Sequence, residues 1–289
     1  MSIEGVCKRW MRIARNHSWS KTTKFMAKQF RTSVFINGDK FVPCEIWKNK
    51  PNPAGQLDHL DISHIAIDHS QLNLIADQFG TLKSINFYLS LADVNFNPFL
   101  LLQKLLFIGE TRLIRARLDK ASFEHLPTTL TSLNLSNCQG VDDTKLTLIG
   151  TRCNQLTSLS VEAIYEQTEF SPPIFNEMLY QLQSLHALRM TAENFVNMPD
   201  FARIPQLKIL KIDACECMDE FSLASISKCS QLSTLVLLPF VTEHEAFYED
   251  KLQHLTNLNQ LKCFHMCQSN QLTDDLLKVI ARQNPGLQV

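Results

Sequence analysis

The chain has 289 residues, of which 45% are hydrophobic and 20% are charged, and its formal net charge is −1. These values are typical of a folded globular protein, and only eight glycines and 11 prolines are present, which excludes a collagen-like or disordered chain. No apolar run reaches the roughly 18 residues that a membrane-crossing helix needs.

The N-terminal part of the chain differs in charge from the rest. Residues 1–50 contain 11 Lys or Arg and three Asp or Glu, which leaves 17 basic and 26 acidic residues for the remainder. Residues 1–20 predict a short amphipathic helix, since apolar residues recur at helical spacing among basic ones. From the residues alone, this helix is a cap for the following region, a partner-binding helix, or a weak contact to membrane or nucleic acid. Its apolar positions are Val6, Trp10, Ile13 and Ala14.

The sequence of residues 21–56 predicts a connecting segment. Phe25, Met26 and Phe30 continue an apolar helical spacing with lysines between them. We interpret this as a helix with a solvated basic face, because no nucleic-acid-binding motif is present. The Pro- and Asn-rich stretch 49–55 marks a boundary. We therefore assign 21–56 as a linker with an N-terminal cap or degenerate repeat, and 57–289 as a repeat array.

The stretch 130–138, LTSLNLSNC, is the clearest unit of that array. It fits the pattern LxxLxLxxC, in which a short strand turns Leu133 and Leu135 to one face and Asn134 and Ser136 to the other. One face of the strand is therefore apolar and the other is polar.

This pattern recurs nine times, with first leucines 20 to 29 residues apart. That is the period of leucine-rich repeats, in which each strand and its following helix or turn buries an apolar face only by stacking on its neighbours. We predict an α/β leucine-rich-repeat solenoid with a parallel sheet on the concave side and helices on the convex side. The apolar triplets are Leu57, Leu60, Ile62; Leu82, Ile85, Phe87; Leu102, Leu105, Phe107; Leu130, Leu133, Leu135; Leu156, Leu159, Val161; Leu185, Leu188, Met190; Leu207, Leu210, Ile212; Leu232, Leu235, Leu237; and Leu258, Leu261, Cys263.

The segments after the strands carry helix-start signals. Asp142 and Thr273 each precede further acidic residues and an apolar run, and Ser171 precedes two prolines. Such side chains accept the free amides of a first helical turn, and proline suits the first helical position. We expect helices on the convex side of most repeats.

Two features resemble a known family. The residues Val6, Cys7, Lys8, Arg9 and Trp10, followed by Ala14 and Trp19, resemble the C-terminal half of an F-box, whose ending is similar to VCKRWxxLAxxxSLW. The cysteine pairs around two of the repeats are similar to the cysteine-containing subclass of leucine-rich repeats that follows the F-box in F-box/leucine-rich-repeat proteins. These cysteines are Cys138 with Cys153, and Cys215 with Cys229.

The resemblance implies a substrate-recognition subunit of an SCF-type ubiquitin ligase. Val6, Cys7 and Trp10 are then the candidates for contact with the Skp-type adaptor, which links to the cullin scaffold, and the repeats hold an unknown protein substrate for ubiquitin-dependent degradation. The front half of an F-box is not found before Val6, so the alternative is a free-standing repeat scaffold without a ligase link.

No catalytic, cofactor-binding or metal-binding residue is predicted. The chain lacks GxSxG, HExxH and a phosphate-binding glycine loop. Cys263, His265 and Cys267 alternate along a strand, but a structural zinc site needs four ligands, so we interpret them as packing residues. An odd number of cysteines, nine, and a basic N-terminus without a secretory signal favour the cytoplasm or nucleus.

The concave wall is the predicted binding surface, with a protein rather than nucleic acid or a membrane as partner. Tyrosine, arginine and aromatic residues often anchor protein interfaces, and adjacent outward apolar residues indicate either a partner or a covering loop. The candidate target-binding residues are Tyr88, Arg189, Lys211, Val236, Leu238 and Phe264.

Overall fold

The structure is a computed structural model. It describes residues 25–26, 59–62, 83–88, 110–114, 123–162, 170–195, 197–214, 218–238, 252–266 and 273–287, and the candidate adaptor contacts Val6, Cys7 and Trp10 lie outside these ranges. The chain divides into two compact units, Met1–Thr129 and Leu130–Val289.

Four parallel strands pair in chain order in the first unit. They are β1 (Phe25–Met26), β2 (His59–Ile62), β3 (Ser84–Tyr88) and β4 (Glu110–Ile114). The helix predicted from the spacing of Phe25 and Met26 is therefore wrong, because these residues form a strand opposite Leu60 and Asp61.

The strand of the third repeat lies six residues later than the sequence predicts. β4 pairs with β3 so that Thr111 is opposite Ile85 and Leu113 is opposite Phe87. Thr111 therefore takes the middle position of the repeat pattern, where the neighbouring repeats have an apolar residue. The frame that starts at Leu102 has apolar residues at all three positions and so fits the pattern better in the sequence alone. The predicted triplet Leu102, Leu105, Phe107 is therefore wrong, and the repeat begins at position 108.

Six parallel strands pair in chain order in the second unit, one per repeat. They are β5 (Ser132–Asn134), β6 (Ser158–Val161), β7 (Ala187–Thr191), β8 (Ile209–Asp213), β9 (Thr234–Leu238) and β10 (Cys263–Met266). The register aligns Leu133, Leu159, Leu188, Leu210 and Leu235 in one row. All five leucines are fully buried, at 1% exposure or less. The predicted apolar face of the strands is confirmed in these repeats.

The same hydrogen bond joins each repeat of the second unit to the next. The backbone carbonyl one residue after the first leucine accepts hydrogen bonds from two successive amides of the following repeat, at 2.7–3.1 Å. The Thr131 carbonyl, for example, accepts from the amides of Thr157 and Ser158. Because all five such junctions are alike, the repeats stack in one register.

A layer of helices follows the strands. The α-helices are α1 (Asp143–Arg152), α2 (Pro172–Gln181), α3 (Glu220–Ile226) and α4 (Asp274–Gln283), and shorter 3-10 turns lie at Ala192–Asn194, Phe201–Arg203 and Gln253–Asn257. The side chains of Asp142 and Thr273 cap α1 and α4 as predicted. Ser171 lies at the N-cap of α2, but its side chain makes no capping bond. The repeat starting at Leu185 is only 22 residues long and carries two 3-10 turns in place of an α-helix.

The helices pack closely on one another. A side chain at Gly150 of α1 would come within 3.1 Å of the Met178 Cα in α2, so any larger residue there would require α2 to shift by a few tenths of an ångström. Under the next repeat, the rings of Phe175 and Phe195 meet edge to face with centroids 4.8 Å apart, and Phe170 lies 5.2 Å from Phe195.

The strand of the last repeat lies three residues later than predicted. Phe264 is opposite Leu235, and the Ser233 carbonyl accepts hydrogen bonds from Lys262 and Cys263. Leucines or phenylalanine recur every three residues in this region, so two frames of the pattern overlap in the sequence. The repeat starts at Leu261, and the predicted triplet Leu258, Leu261, Cys263 is wrong.

Candidate protein-binding face of the sheet

The second unit presents a sheet face opposite its buried leucines, which we call the open face. Because side chains alternate along a strand, the residues directly before and after each buried leucine point to the open face. The register aligns Ser160, Arg189, Lys211, Val236 and His265 in its central row. This face is the side predicted to be concave.

A network of five polar side chains lies across β5 to β8 on the open face, and we call it the Glu162 cluster. The hydroxyl groups of Ser136 and Ser160 are 3.0 Å apart, and Ser160 donates to Glu162 Oε2 at 3.1 Å. Lys211 Nζ donates to Glu162 Oε1 at 2.6 Å and to Asp213 Oδ2 at 3.1 Å. The cluster thus ties together strands whose residues are as far as 49 positions apart in sequence.

The charges of the cluster reinforce one another. Burial opposes the ionisation of Glu162, whose side chain is only 15% exposed, but the hydrogen bond and charge of Lys211 outweigh it, so the pKa of Glu162 lies below its ordinary value. Burial likewise opposes the charged form of Lys211, yet its bonds to Glu162 and Asp213 raise the pKa of Lys211 above its ordinary value. Both groups are therefore held in their charged forms at neutral pH.

Arg189 lies in β7, between the two halves of the Glu162 cluster. Its charge helps to lower the pKa of Glu162. The side chain is exposed, and no carboxylate of the described residues lies within ion-pair distance of its guanidinium. Arg189 is thus an accessible cation beside a cluster whose own lysine is already paired.

Apolar side chains cover the open face next to this charged region. Val236 and Leu238 of β9 are half-buried, and so is Ile209 of β8. Along β9 they alternate with Leu235 and Leu237, which are fully buried. The predicted outward positions of Val236 and Leu238 agree with this alternation. We call Ile209, Val236 and Leu238 the apolar strip.

Phe264 does not belong to the open face. In the observed register it is in the row of buried leucines and is itself half-buried, so its predicted outward position is wrong. Cys263 and His265 take the outward positions and are exposed, which also corrects the packing role assigned to Cys263. Tyr88 ends β3 of the first unit, opposite Ile114, and its assignment as a target-binding residue stays a prediction.

Two of the cysteines at repeat ends have buried thiols. Burial raises the pKa of the Cys153 and Cys229 thiols to about 12, so neither is a ready nucleophile. Within the described ranges, no three His, Cys, Asp or Glu side chains come together as a metal site would need. None of the helices in those ranges combines the length and apolar content that a bilayer crossing requires.

Sequence alternation found Arg189, Lys211, Val236 and Leu238, but it missed how they are grouped. Alternation alone does not single out Glu162, although Glu162 holds the charged network together. Two signals in the sequence could have indicated its role. Glu162 directly follows β6, two residues after the outward Ser160, and the repeat register places it on the same face as the outward residues of the next strands. Ile209 was missed, although its position one residue before the buried Leu210 marks it as outward.

Known structures resemble this chain in fold. No protein-family model and no curated protein matches the sequence. A chain of the yeast Rad7 and Elc1 complex superposes with a TM-score of 0.51 at 18% identity, covering 80% of this chain and 68% of that one. The fold is a leucine-rich-repeat solenoid.

Two further structures superpose less well. One is a chain of the TLR13-ssRNA13 complex, with a TM-score of 0.45 and 16% identity over 73% of this chain and 33% of that one. The other is an LRR protein of Leptospira interrogans, with a TM-score of 0.46 and 13% identity over 87% of this chain and 63% of that one. This chain therefore spans a third of the first and less than two thirds of the second.

Proposed function

We propose that this chain is a protein-binding adaptor whose open face holds a target protein. The observation that carries the proposal is the open face itself, where the exposed Arg189 and the apolar strip lie on the same stacked, hydrogen-bonded sheet, with Lys211 between Arg189 and Val236. Accessible arginine next to apolar side chains on a rigid support is typical of protein interfaces. The thiols of Cys153 and Cys229, in contrast, are buried and protonated, which supports a binding role for the solenoid over a catalytic one.

In the finer form of the proposal, the target is a substrate of an SCF-type ubiquitin ligase. The resemblance of Val6, Cys7 and Trp10 to the end of an F-box supports it, together with the order of this segment and the cysteine-bearing repeats. The N-terminal segment then binds the Skp-type adaptor and through it the cullin scaffold, while the ubiquitin transfer itself takes place on other subunits. Such an adaptor would act in the cytoplasm or nucleus.

Retention by an immobilised Skp-type adaptor tests the ligase link. We expect the chain to be retained, the Trp10→Ala variant to bind at least about tenfold more weakly because a large apolar anchor is lost, and the matched Trp47→Ala variant to bind as the wild type does. The yeast complex pairs Rad7 with Elc1, so Elc1 serves as a second probe in the same assay.

The second candidate function is a repeat scaffold with no ligase link. It needs only the open face, where the exposed Arg189 and the apolar strip support protein binding without any contribution from the F-box-like segment. No retention of the wild type by either probe, or equal retention of the Trp10→Ala variant, would contradict the ligase proposal and leave the scaffold.

A further inference from the structure

The two cations at the centre of the open face differ in how far they are already paired. Lys211 donates to carboxylates on both sides, at 2.6 Å to Glu162 and 3.1 Å to Asp213. Arg189, its neighbour in register on β7, is exposed and has no such partner among the described residues. An incoming anion would therefore find Lys211 occupied and Arg189 available.

Among the described residues, the negative charges near Arg189 lie on one side of it. Glu162 and Asp213 lie toward the carboxyl ends of the strands. Toward the amino ends, the outward residues of β6, β7 and β8 are Ser158, Ala187 and Ile209, which are all uncharged. A carboxylate that approaches from this side meets the guanidinium without facing Glu162, and a guanidinium can bind a carboxylate through two parallel hydrogen bonds.

The apolar strip lies at a defined distance from Arg189. Val236 is two strands away in the same register row, which is about 10 Å at roughly 4.8 Å per strand. An extended chain covers this distance in about three residues at roughly 3.3 Å each. Burial of an apolar side chain against Val236 and its neighbour Ile209 or Leu238 would add to the charge contact.

We propose that the open face takes an extended segment of its partner protein in which an Asp or Glu binds Arg189 and an apolar residue about three positions away packs on the apolar strip. This inference rests on the proposed adaptor function and specifies the chemistry of the segment that is recognised. The Glu162 cluster lies beneath the segment and joins β6 to β8 across the intervening β7.

A displayed library of short random peptides tests the inference with the full chain as bait. Four baits are compared: the wild type, Arg189→Glu, Val236→Asp, and the matched control Lys228→Glu, which makes the same kind of charge reversal at an exposed lysine after α3. We expect the wild type and Lys228→Glu to enrich peptides with Asp or Glu about three residues from Leu, Ile, Val or Phe. Arg189→Glu should instead enrich Lys or Arg at the acidic position and bind the wild-type peptides at least about tenfold more weakly.

The outcomes separate this inference from the adaptor function. If Arg189→Glu enriches the same acidic peptides as the wild type, or if the wild type enriches no acidic peptide, the assigned chemistry is overturned. In that case, a loss of peptide binding in Val236→Asp would still locate binding on the open face and leave the adaptor function standing. If neither open-face substitution changes what is bound, both proposals fall. Melting curves of the variants check that each bait is folded.

Discussion

Asn284 is a buried polar residue whose side chain replaces a missing backbone hydrogen bond. In four other repeats the amide of the first leucine donates to the carbonyl three residues earlier, as Leu156 does to Cys153 at 3.0 Å. In the last repeat, Asn284 Oδ1 instead accepts from the Leu261 amide at 2.7 Å, and its Nδ2 donates to the Leu258 carbonyl at 2.8 Å. One side chain therefore satisfies both groups of the turn and joins α4 to it.

We expect Asn284→Leu to lower the free energy of unfolding by about 2–5 kcal/mol, because each of two buried backbone groups left without a partner costs about 1–3 kcal/mol. Urea unfolding followed by circular dichroism measures this. The matched control is Asn259→Leu at an exposed position of the same turn, where we expect a change within about 0.5 kcal/mol. Equal effects of the two substitutions would show that the bridge contributes nothing.

The two cysteines that lie three residues before the next repeat show how far the role of a single residue could be predicted from the sequence. Cys153 and Cys229 recur at the ends of two repeats in the sequence, and both are fully buried in the structure. The partner was not predictable, because Cys229 Sγ donates to the carbonyl of Phe201, 28 residues away, at 3.4 Å. Asn284 occupies the same repeat position, three residues before the Leu287 amide that bonds to it. Sequence pattern alone had assigned it no role.

At the scale of the strands, the Glu162 cluster should make stability depend on pH. The folded pKa of Glu162 is below its ordinary value of about 4.3, so ionised Glu162 stabilises the fold above that value, and the contribution is lost as the pH falls through the folded pKa. We expect Glu162→Gln to lower the free energy of unfolding by about 1–3 kcal/mol at pH ~7, since hydrogen bonds to charged groups contribute that much. The difference from the wild type should shrink below pH ~4. Denaturant unfolding over this pH range measures it.

Glu193→Gln is the control for that series. Glu193 is exposed and forms no ion pair among the described residues, so its substitution should leave the wild-type pH profile unchanged. A difference between the wild type and Glu162→Gln that stays constant from neutral to acidic pH would contradict the link between the cluster and the ionisation of Glu162.

The frames of two repeats show why strand positions could be predicted only in part. Where leucines fill every position of the pattern, as at Leu133, Leu159 and Leu210, the predicted and observed strands agree. The third repeat has Thr111 in register with Ile85, and the last has Leu258, Leu261 and Phe264 at equal spacing, so an apolar pattern fits a wrong frame in each. Only pairing with the preceding strand decides between frames, and pairing is not visible in one sequence.

At the scale of the whole second unit, the open face follows from the register of six strands. Alternation along each strand predicted which residues face outward, including Arg189 and Val236. Their grouping depends on which residues of different strands are neighbours, and Glu162 meets Lys211 across an intervening strand. An error of three residues in a repeat frame turns an inward residue outward, and Phe264 was misassigned for this reason.

In a stack of repeats, the cost of losing a core side chain depends on its burial and its neighbours. Leu210 is fully buried in β8, which pairs with β7 and β9, whereas Phe264 is half-buried in β10, which pairs with β9 alone among the described strands. We expect Leu210→Ala to lower the free energy of unfolding by about 2–5 kcal/mol. Phe264→Ala should lower it by about 1–2 kcal/mol, since less apolar area is buried there. Denaturant unfolding combined with hydrogen exchange measures both effects, and exchange in Phe264→Ala should increase first in β10.

Cys263→Ser is the control that decides between the two frames of the last repeat. In the observed frame Cys263 is exposed and Phe264 points inward, so Cys263→Ser should change stability by no more than about 0.5 kcal/mol. In the frame predicted from the sequence, Cys263 is the inward residue and Phe264 is outward. A larger loss of stability in Cys263→Ser than in Phe264→Ala would therefore restore the predicted frame and move Phe264 onto the open face.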